Sequence, residues 1–445
     1  MARSSFPVEV ALWIKSLSSL LHATHAWRLA PLLRGMLFAR GRRTVTSWLR
    51  AGELGDDFQG YYYFLGALGR KVKSFAGLLL QLAVQTIHPG ERLLFAIDDT
   101  PTKRYGPHVQ GAGIHHNPTP GPAEQKFVYG HVWVTLSWVV RHTLWGTIGL
   151  PLLACLYVRR ANIADLPRRS GVKFQTKLEQ AAAMVEWLVG WLTYLEKTLW
   201  VVVDGAYIKT PFLKRALKAG ATVIGRLRKD AALWSVPEAV APSQRRRGRP
   251  RKYGGARISL AKRAGHRRGW EHRTCTLYGA AVSVCYKAFL ATYKPTGGLI
   301  RVVIVREEDR TWRAYMCTDG NAGVGEILEA VADRSVIEQN FHDLKEVHGA
   351  GQQQLRNYWA NIAAYHLTLW LHTLIEIWSW HKPKKELVDR SASPWDDASR
   401  RPSHADRRNA LRRQCLQEEF QHEVAAGGVN RKIRQAFSRL IKLAA

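Results

Sequence analysis

The chain has 445 residues, 46% hydrophobic and 23% charged, which suits a soluble globular protein with room for two or three domains and a sizeable core. Its 66 Lys and Arg against 35 Asp and Glu give a formal net charge of +31 and a pI near 10.3. Such an excess calls for a polyanionic partner, and nucleic acid leads because each neutralised phosphate releases a counterion, although a membrane surface or a ribosome would also supply anions.

The first 90 residues read as an all-helical domain. The N-terminus lacks a signal-peptide core, and Val8, Leu12, Leu17, Leu20 and Leu21 recur at helical spacing, as do Phe75, Leu78, Leu79, Leu82 and Val84. Between them, Thr44 or Thr46 can cap a short helix that ends near Gly52. A basic lead-in, a short helix, a turn and a second helix fit a helix-turn-helix DNA reader, and they fit a plain helical bundle equally.

From 91 to 239 the pattern alternates strands and helices. Leu93 to Ile97 is a short buried strand that ends at Asp98 and Asp99. Thr100 to Lys126, rich in Pro, Gly and His, reads as a long loop, in which the neighbouring His115 and His116 read as phosphate contacts, or as residues with no role, rather than as a metal site. Val128 to Val140 and Leu144 to Val158 form an antiparallel strand pair. This apolar run is interrupted by Arg141, His142 and Pro151, so neither half is long enough to cross a bilayer. Phe174 to Lys197 is an amphipathic helix, Leu199 to Val203 a buried strand ending at Asp204, Lys209 to Ala219 a helix and Thr222 to Leu227 a strand. That order predicts an α/β fold with a mixed five-stranded sheet, three strands antiparallel and two parallel.

Residues 240–320 read as a basic, β-rich insertion. Arg247, Arg249, Arg251 and Lys252 sit in a glycine-containing stretch whose Arg-Gly-Arg-Pro resembles the AT-hook core that lies in a narrow A·T minor groove; a solvated basic linker gripping phosphates is the other reading. Three strand patterns follow, up to Asp319. Residues 321–380 return to helices, with Asn361 to Trp380 strongly apolar, and 381–445 form an Arg-rich tail with a basic helix near Arg431 to Lys442, partly disordered or packed on DNA. The five cysteines lack C-x-x-C spacing and make no disulfide framework, which points to a reducing cytosol.

The stretch Asp333 to Lys345 organises the rest. On one helix Arg334, Glu338 and Lys345 share a face, while Ile337, Phe341 and Leu344 form an apolar stripe. A surface salt-bridge ladder explains three such charges. So does a metal site, because Asp98 and Asp204 stand upstream at the ends of apolar strands, and three hard carboxylates suit Mg²⁺ or Mn²⁺. Two such ions support in-line displacement at phosphorus.

The three acids in this order, with Arg, three residues, Glu, six residues and Lys around the third, resemble the DDE-type transposases of bacterial insertion sequences. In that family's pattern a Tyr precedes the Arg, and Val331 stands at its position here. The resemblance covers residues 90 to 375 and implies an RNase H-like catalytic fold. It also implies two Mg²⁺ (or Mn²⁺) ions on Asp98, Asp204 and Glu338, with Asp99 competing for the first place. Arg334 and Lys345 would hold transposon-end phosphates instead of pairing with Glu338. The implied activity is cleavage at terminal inverted repeats and strand transfer by a homodimer on double-stranded DNA, in a cytoplasmic, nucleoid-associated setting. A catalytically inactive or domesticated DNA-binding derivative is the alternative.

Overall fold

The computed structural model describes residues 6–117, 126–238, 251–309, 311–391 and 393–424, with positions 433, 437, 440 and 441. Arg247 and Arg249, and most of the basic helix expected at 431–442, lie outside the described residues.

The N-terminal region is helical, with α1 (Val8–Ser18), α2 (Ala23–Ala26), α3 (Leu29–Phe38), α4 (Val45–Ala51), α5 (Phe58–Leu68) and α6 (Val72–Ile87). Thr44 caps α4 by accepting a hydrogen bond from the Ser47 backbone N–H at 3.1 Å, and Gly52 ends it. The buried face of α1 is Val10, Ile14 and Leu17; Val8 and Leu12, expected on the core side, are exposed. The α/β part follows as β1 (Arg92–Lys103), β2 (Gly113–His116), β3 (Phe127–His142), β4 (Gly146–Tyr157), α7 (Lys177–Leu192), β5 (Thr198–Val203), α8 (Thr210–Lys218) and β6 (Thr222–Leu227). A capping box between Thr176 and Glu179 starts α7.

The next segment comprises β7 (Leu233–Trp234), β8 (Arg257–Ile258), α9 (Leu260–Gly265), β9 (Glu271–Leu277), β10 (Ala280–Tyr293), β11 (Gly298–Arg306) and β12 (Trp312–Cys317). Where a basic linker without apolar period was expected, α9 buries Leu260 and Ala264, and Arg263 lies 4.0 Å over the Phe289 ring. Helices α10 (Val324–Asp333), α11 (Val336–Glu346), α12 (Tyr358–Ser379), α13 (Lys384–Leu387) and α14 (His404–Val424) complete the chain.

The sheet is mixed and larger than the five strands expected, with twelve among the described residues. β3 runs antiparallel to both β1 and β4, while β5 lies parallel to β1 and β6 parallel to β5. Beyond β6 the sheet continues through β12, β11 and β10, all antiparallel, so the insertion strands are part of the same sheet. β1 also runs past Asp98 and Asp99 to Lys103, because β3 supplies partners as far as Gly130; the acids are therefore mid-strand, and β2 occupies part of the expected loop.

Helix α12 is the hub. Of its 22 residues only Trp359 is not buried, and Phe75 of α6 stacks on Trp370 at 5.1 Å. Its polar side chains meet β4: Trp370 Nε1 donates to Leu152 O (2.9 Å), Thr373 Oγ1 donates to Pro151 O (2.7 Å), and His366 Nε2 accepts from the Ala154 N–H (3.0 Å). Gln180 of α7 donates to Leu156 O at 3.1 Å. The Arg-rich C-terminal segment is also built into the core, since Arg407, Arg408 and Arg412 of α14 are buried and Arg408 donates to Leu37 O at 2.6 Å. No helix among the described residues is long and apolar enough to cross a membrane.

Candidate active site

Successive residues of a strand point to opposite faces of the sheet, so the adjacent acids of β1 have different surroundings. Asp98 faces the junction of α10 and α11. Its Oδ2 accepts a 2.7 Å hydrogen bond from Arg334 Nη1, and its Oδ1 accepts from the Asp99 N–H at 2.8 Å. Burial raises the Asp98 pKa above the ordinary carboxyl value, with the Arg334 charge opposing it. Asp99 is tied into the opposite side: Lys177 Nζ of α7 donates to one oxygen at 2.7 Å and the Tyr207 hydroxyl donates to the other at 2.9 Å.

Asp204 follows β5 directly and is exposed, with its carbonyl accepting from the Tyr207 N–H to close a single 3₁₀ turn. Tyr207 lies among three acids. Burial raises its phenol pKa most, and the charges of Asp99, Asp98 and Asp204 push the same way.

Glu338 is in the first turn of α11. The stretch expected as one helix is two: Arg334 and Ser335 join α10 to α11 in αR geometry, with Ile337 N–H donating to Arg334 O and Glu338 N–H to Ser335 O. The apolar stripe holds, with Ile337, Phe341 and Leu344 buried. Asn340 fixes α11 to β4 by donating to Gly149 O at 3.1 Å, and a Cβ on Gly149 would come within 2.3 Å of Asn340 Oδ1. Asp333, at the end of α10, accepts from Arg141 Nε (2.8 Å) and Thr147 Oγ1 (2.6 Å).

Arg334 departs from its expected place as a cation facing outward. Its second nitrogen, Nη2, stands 3.5 Å from Glu338 Oε1, so one guanidinium links Asp98 to Glu338. The i, i+4 spacing favours that pairing, and the partly buried carboxylate of Asp98 draws the guanidinium inward.

Asp98, Asp204, Glu338 and Lys345 line one groove of about 1920 Å³. Arg42, Lys103, His115, His116 and Lys177 line it too. Sequence reading gave none of Arg42, Lys103, Lys177 or Tyr207 a role. Arg42 belongs to the N-terminal helical region and Lys177 to α7, so only the fold brings them to the strand acids. Burial, helped by the Lys177 and Arg159 charges, pushes the His115 pKa down to about 4. Arg251 and Lys252 are exposed, away from the groove lining. The carboxylate donor set is chemically suited to a hard divalent cation. The carboxylate oxygens of Asp98, Asp204 and Glu338 do not all lie within 4.8 Å of one another, so the groove gathers the three acids without closing them into one ligand set.

A family model described as DDE superfamily endonuclease matches residues 16–278, more than half of the chain, taking in Asp98 and Asp204 and ending before Glu338. No curated protein sequence matches the chain. Among solved structures it is similar to the piggyBac transposase in its cryo-EM synaptic complex with hairpin DNA, at 10% identity and a TM-score of 0.41 over 97% of this chain and 82% of that one.

Proposed function

The chain belongs to the DDE superfamily endonucleases, and from that premise we propose that it is a DNA transposase that cuts at terminal inverted repeats and joins the released ends to target DNA. The observation that carries the reading is the single groove lined by Asp98 from β1, Asp204 after β5 and Glu338 from α11. The antiparallel and parallel strand pattern around β1 fits an RNase H-like core, and the origin we assign is a bacterial insertion sequence.

In this reading Asp98, Asp204 and Glu338 hold two Mg²⁺ (or Mn²⁺) ions. When bound, such a pair activates a water or 3′-hydroxyl and stabilises the leaving oxygen of an in-line phosphoryl displacement. Asp98 takes the first position in preference to Asp99 because it directly follows the apolar run Leu93 to Ile97; both carboxylates line the groove and both already accept two hydrogen bonds. Arg334 holds the Asp98 and Glu338 carboxylates near one another and offsets their repulsion. Lys345, Arg42, Lys103 and the groove histidines contact the phosphates flanking the scissile one. The net charge of +31, with Arg251, Lys252, Arg247 and Arg249 near the insertion, provides the wider grip on duplex DNA. Two copies on DNA would hold two transposon ends.

The test uses a labelled duplex carrying a terminal inverted repeat, with Mg²⁺ or Mn²⁺. Asp204→Asn and Glu338→Gln should each lower cleavage and strand transfer by about 10³-fold or more, some 4 kcal/mol of lost charge stabilisation, while Asp99→Asn keeps measurable cleavage. Full activity in either of the first two variants would overturn the assignment.

A further inference from the structure

Away from the groove, three histidines converge in the core. His348 lies in the turn after α11, His372 on α12 and His404 at the start of α14, and all three are buried. One ring nitrogen from each lies within 4.8 Å of those of the other two.

The surroundings are those of a built ligand set. His404 Nδ1 donates to Glu376 Oε1 at 2.7 Å, which leaves its Nε2 lone pair directed away from the carboxylate. His348 Nε2 faces that Nε2 at 2.7 Å, so the two nitrogens share one proton. On His372, Nε2 accepts a 3.3 Å hydrogen bond from Asn340 Nδ2, so the neutral ring as it stands carries its proton on Nδ1. That Nδ1 has no hydrogen-bond partner among the described residues, although His372 is only 2% exposed. A buried N–H without an acceptor is costly, and a cation on Nδ1 removes that cost once the proton passes to Nε2, where the Asn340 amide turns to accept it with Oδ1, itself without a partner. Glu376 is itself held by Arg407, whose Nη1 stands 3.0 Å from Oε2. A carboxylate behind a histidine nitrogen is the usual outer support of a metal-bound imidazole.

We propose that His348, His372 and His404 form a structural Zn²⁺ site, supported from outside by Glu376, that clamps α14 to the turn following the Glu338 helix. Three neutral imidazoles suit zinc, which takes nitrogen ligands at about 2.0–2.1 Å. On binding, the proton between His348 and His404 moves to His348 Nδ1, which leaves both Nε2 lone pairs to the ion and both rings neutral. His372 and His404 are stacked, with centroids 3.8 Å apart and planes at 15°, so one ring tilts about its soft outer torsion to bring both lone pairs onto the ion.

The experiment measures metal in the full chain, purified from zinc-supplemented cells and dialysed into Mg²⁺ buffer. About one zinc per chain is expected, with at least a fivefold fall in His372→Gln and no change in Asp204→Asn, whose lesion belongs to the groove. Stripping with a chelator should lower the thermal midpoint, and Zn²⁺ but not Mg²⁺ should restore it. Co²⁺ added to the stripped wild type should give the visible absorption of a tetrahedral centre. Folded wild type that holds no zinc and gives no such Co²⁺ spectrum would overturn the proposal and leave a proton-bridged histidine cluster. Because that result needs no variant, it decides the matter even if His372→Gln does not fold.

Discussion

Arg334→Leu tests how the candidate active site is held together. The substitution removes the 2.7 Å charge-assisted bond to Asp98, whose side chain is 21% exposed, and the looser 3.5 Å contact to Glu338, which is 65% exposed. A hydrogen bond between charged, mostly buried partners contributes about 1.5–3 kcal/mol, and an exposed pair about 0.5 kcal/mol or less. The variant should therefore lose about 2 kcal/mol in EDTA, nearly all of it through Asp98. Burial already raises the pKa of that acid, and loss of the guanidinium removes the main force opposing the rise. Urea unfolding of a double-mutant cycle separates the two contacts: coupling between Arg334→Leu and Asp98→Asn should be about 2 kcal/mol, and with Glu338→Gln about 0.5 kcal/mol or less. Mg²⁺ should stabilise Arg334→Leu more than wild type, since the ion no longer competes with a guanidinium for Asp98. Asp98 coupling below about 0.5 kcal/mol would refute the view that Arg334 is the counter-ion of this acid.

Two further outcomes concern the scaffold. Gly149→Ala drives a methyl into Asn340 and should cost about 1–3 kcal/mol and reduce cleavage by displacing α11, whereas Gly190→Ala on α7, with open space around it, should be neutral or stabilising by up to about 1 kcal/mol; thermal midpoints and the cleavage assay report both. His131, fully buried, donates from Nε2 to Gln110 O (3.0 Å) and accepts from Arg104 Nε (3.2 Å), and burial pushes its pKa down to about 3. The folded value lies below the unfolded one, so the stability is fully present above about pH 6.5 and is lost as pH falls towards 3; between pH 6 and 4 His131→Gln should lose about 1.4 kcal/mol per pH unit less than wild type, and equal slopes in urea titrations would refute this.

Much of this was legible from local pattern. The apolar runs ending at Asp98 and Asp204 located two strands, and the Ile337, Phe341 and Leu344 stripe identified the buried side of α11. Periodicity could not show that β1 continues through its acids, since β3 supplies the pairing from elsewhere in the chain. It also could not decide whether Arg334 turns outward or inward, a choice set by the depth of a carboxylate 236 positions away in sequence. The histidine cluster was hidden by separation: its members come from a turn and two helices, and sequence attention went to the adjacent His115 and His116. The available clue was His372 followed four residues later by Glu376 inside an otherwise apolar helix, a pairing that needs polar partners.

The contacts between α12, α7 and β4 have a consequence for how the sheet can grow. Among the described residues β4 pairs only with β3, so its far side would offer unpaired backbone groups to any extended chain. Trp370, Thr373, His366 and Gln180 occupy four of these groups with side chains, and Pro151, at the register shift between β3 and β4, has no N–H to offer. That border is sealed against strand addition, whether from the same chain or from another copy. β2 lies on the same side of β3 beyond the end of β4, and at the other border β12, β11 and β10 of the insertion continue from β6. An added strand in this protein therefore finds its place beyond β4 or past β6, and not along the edge that the central buried helix covers.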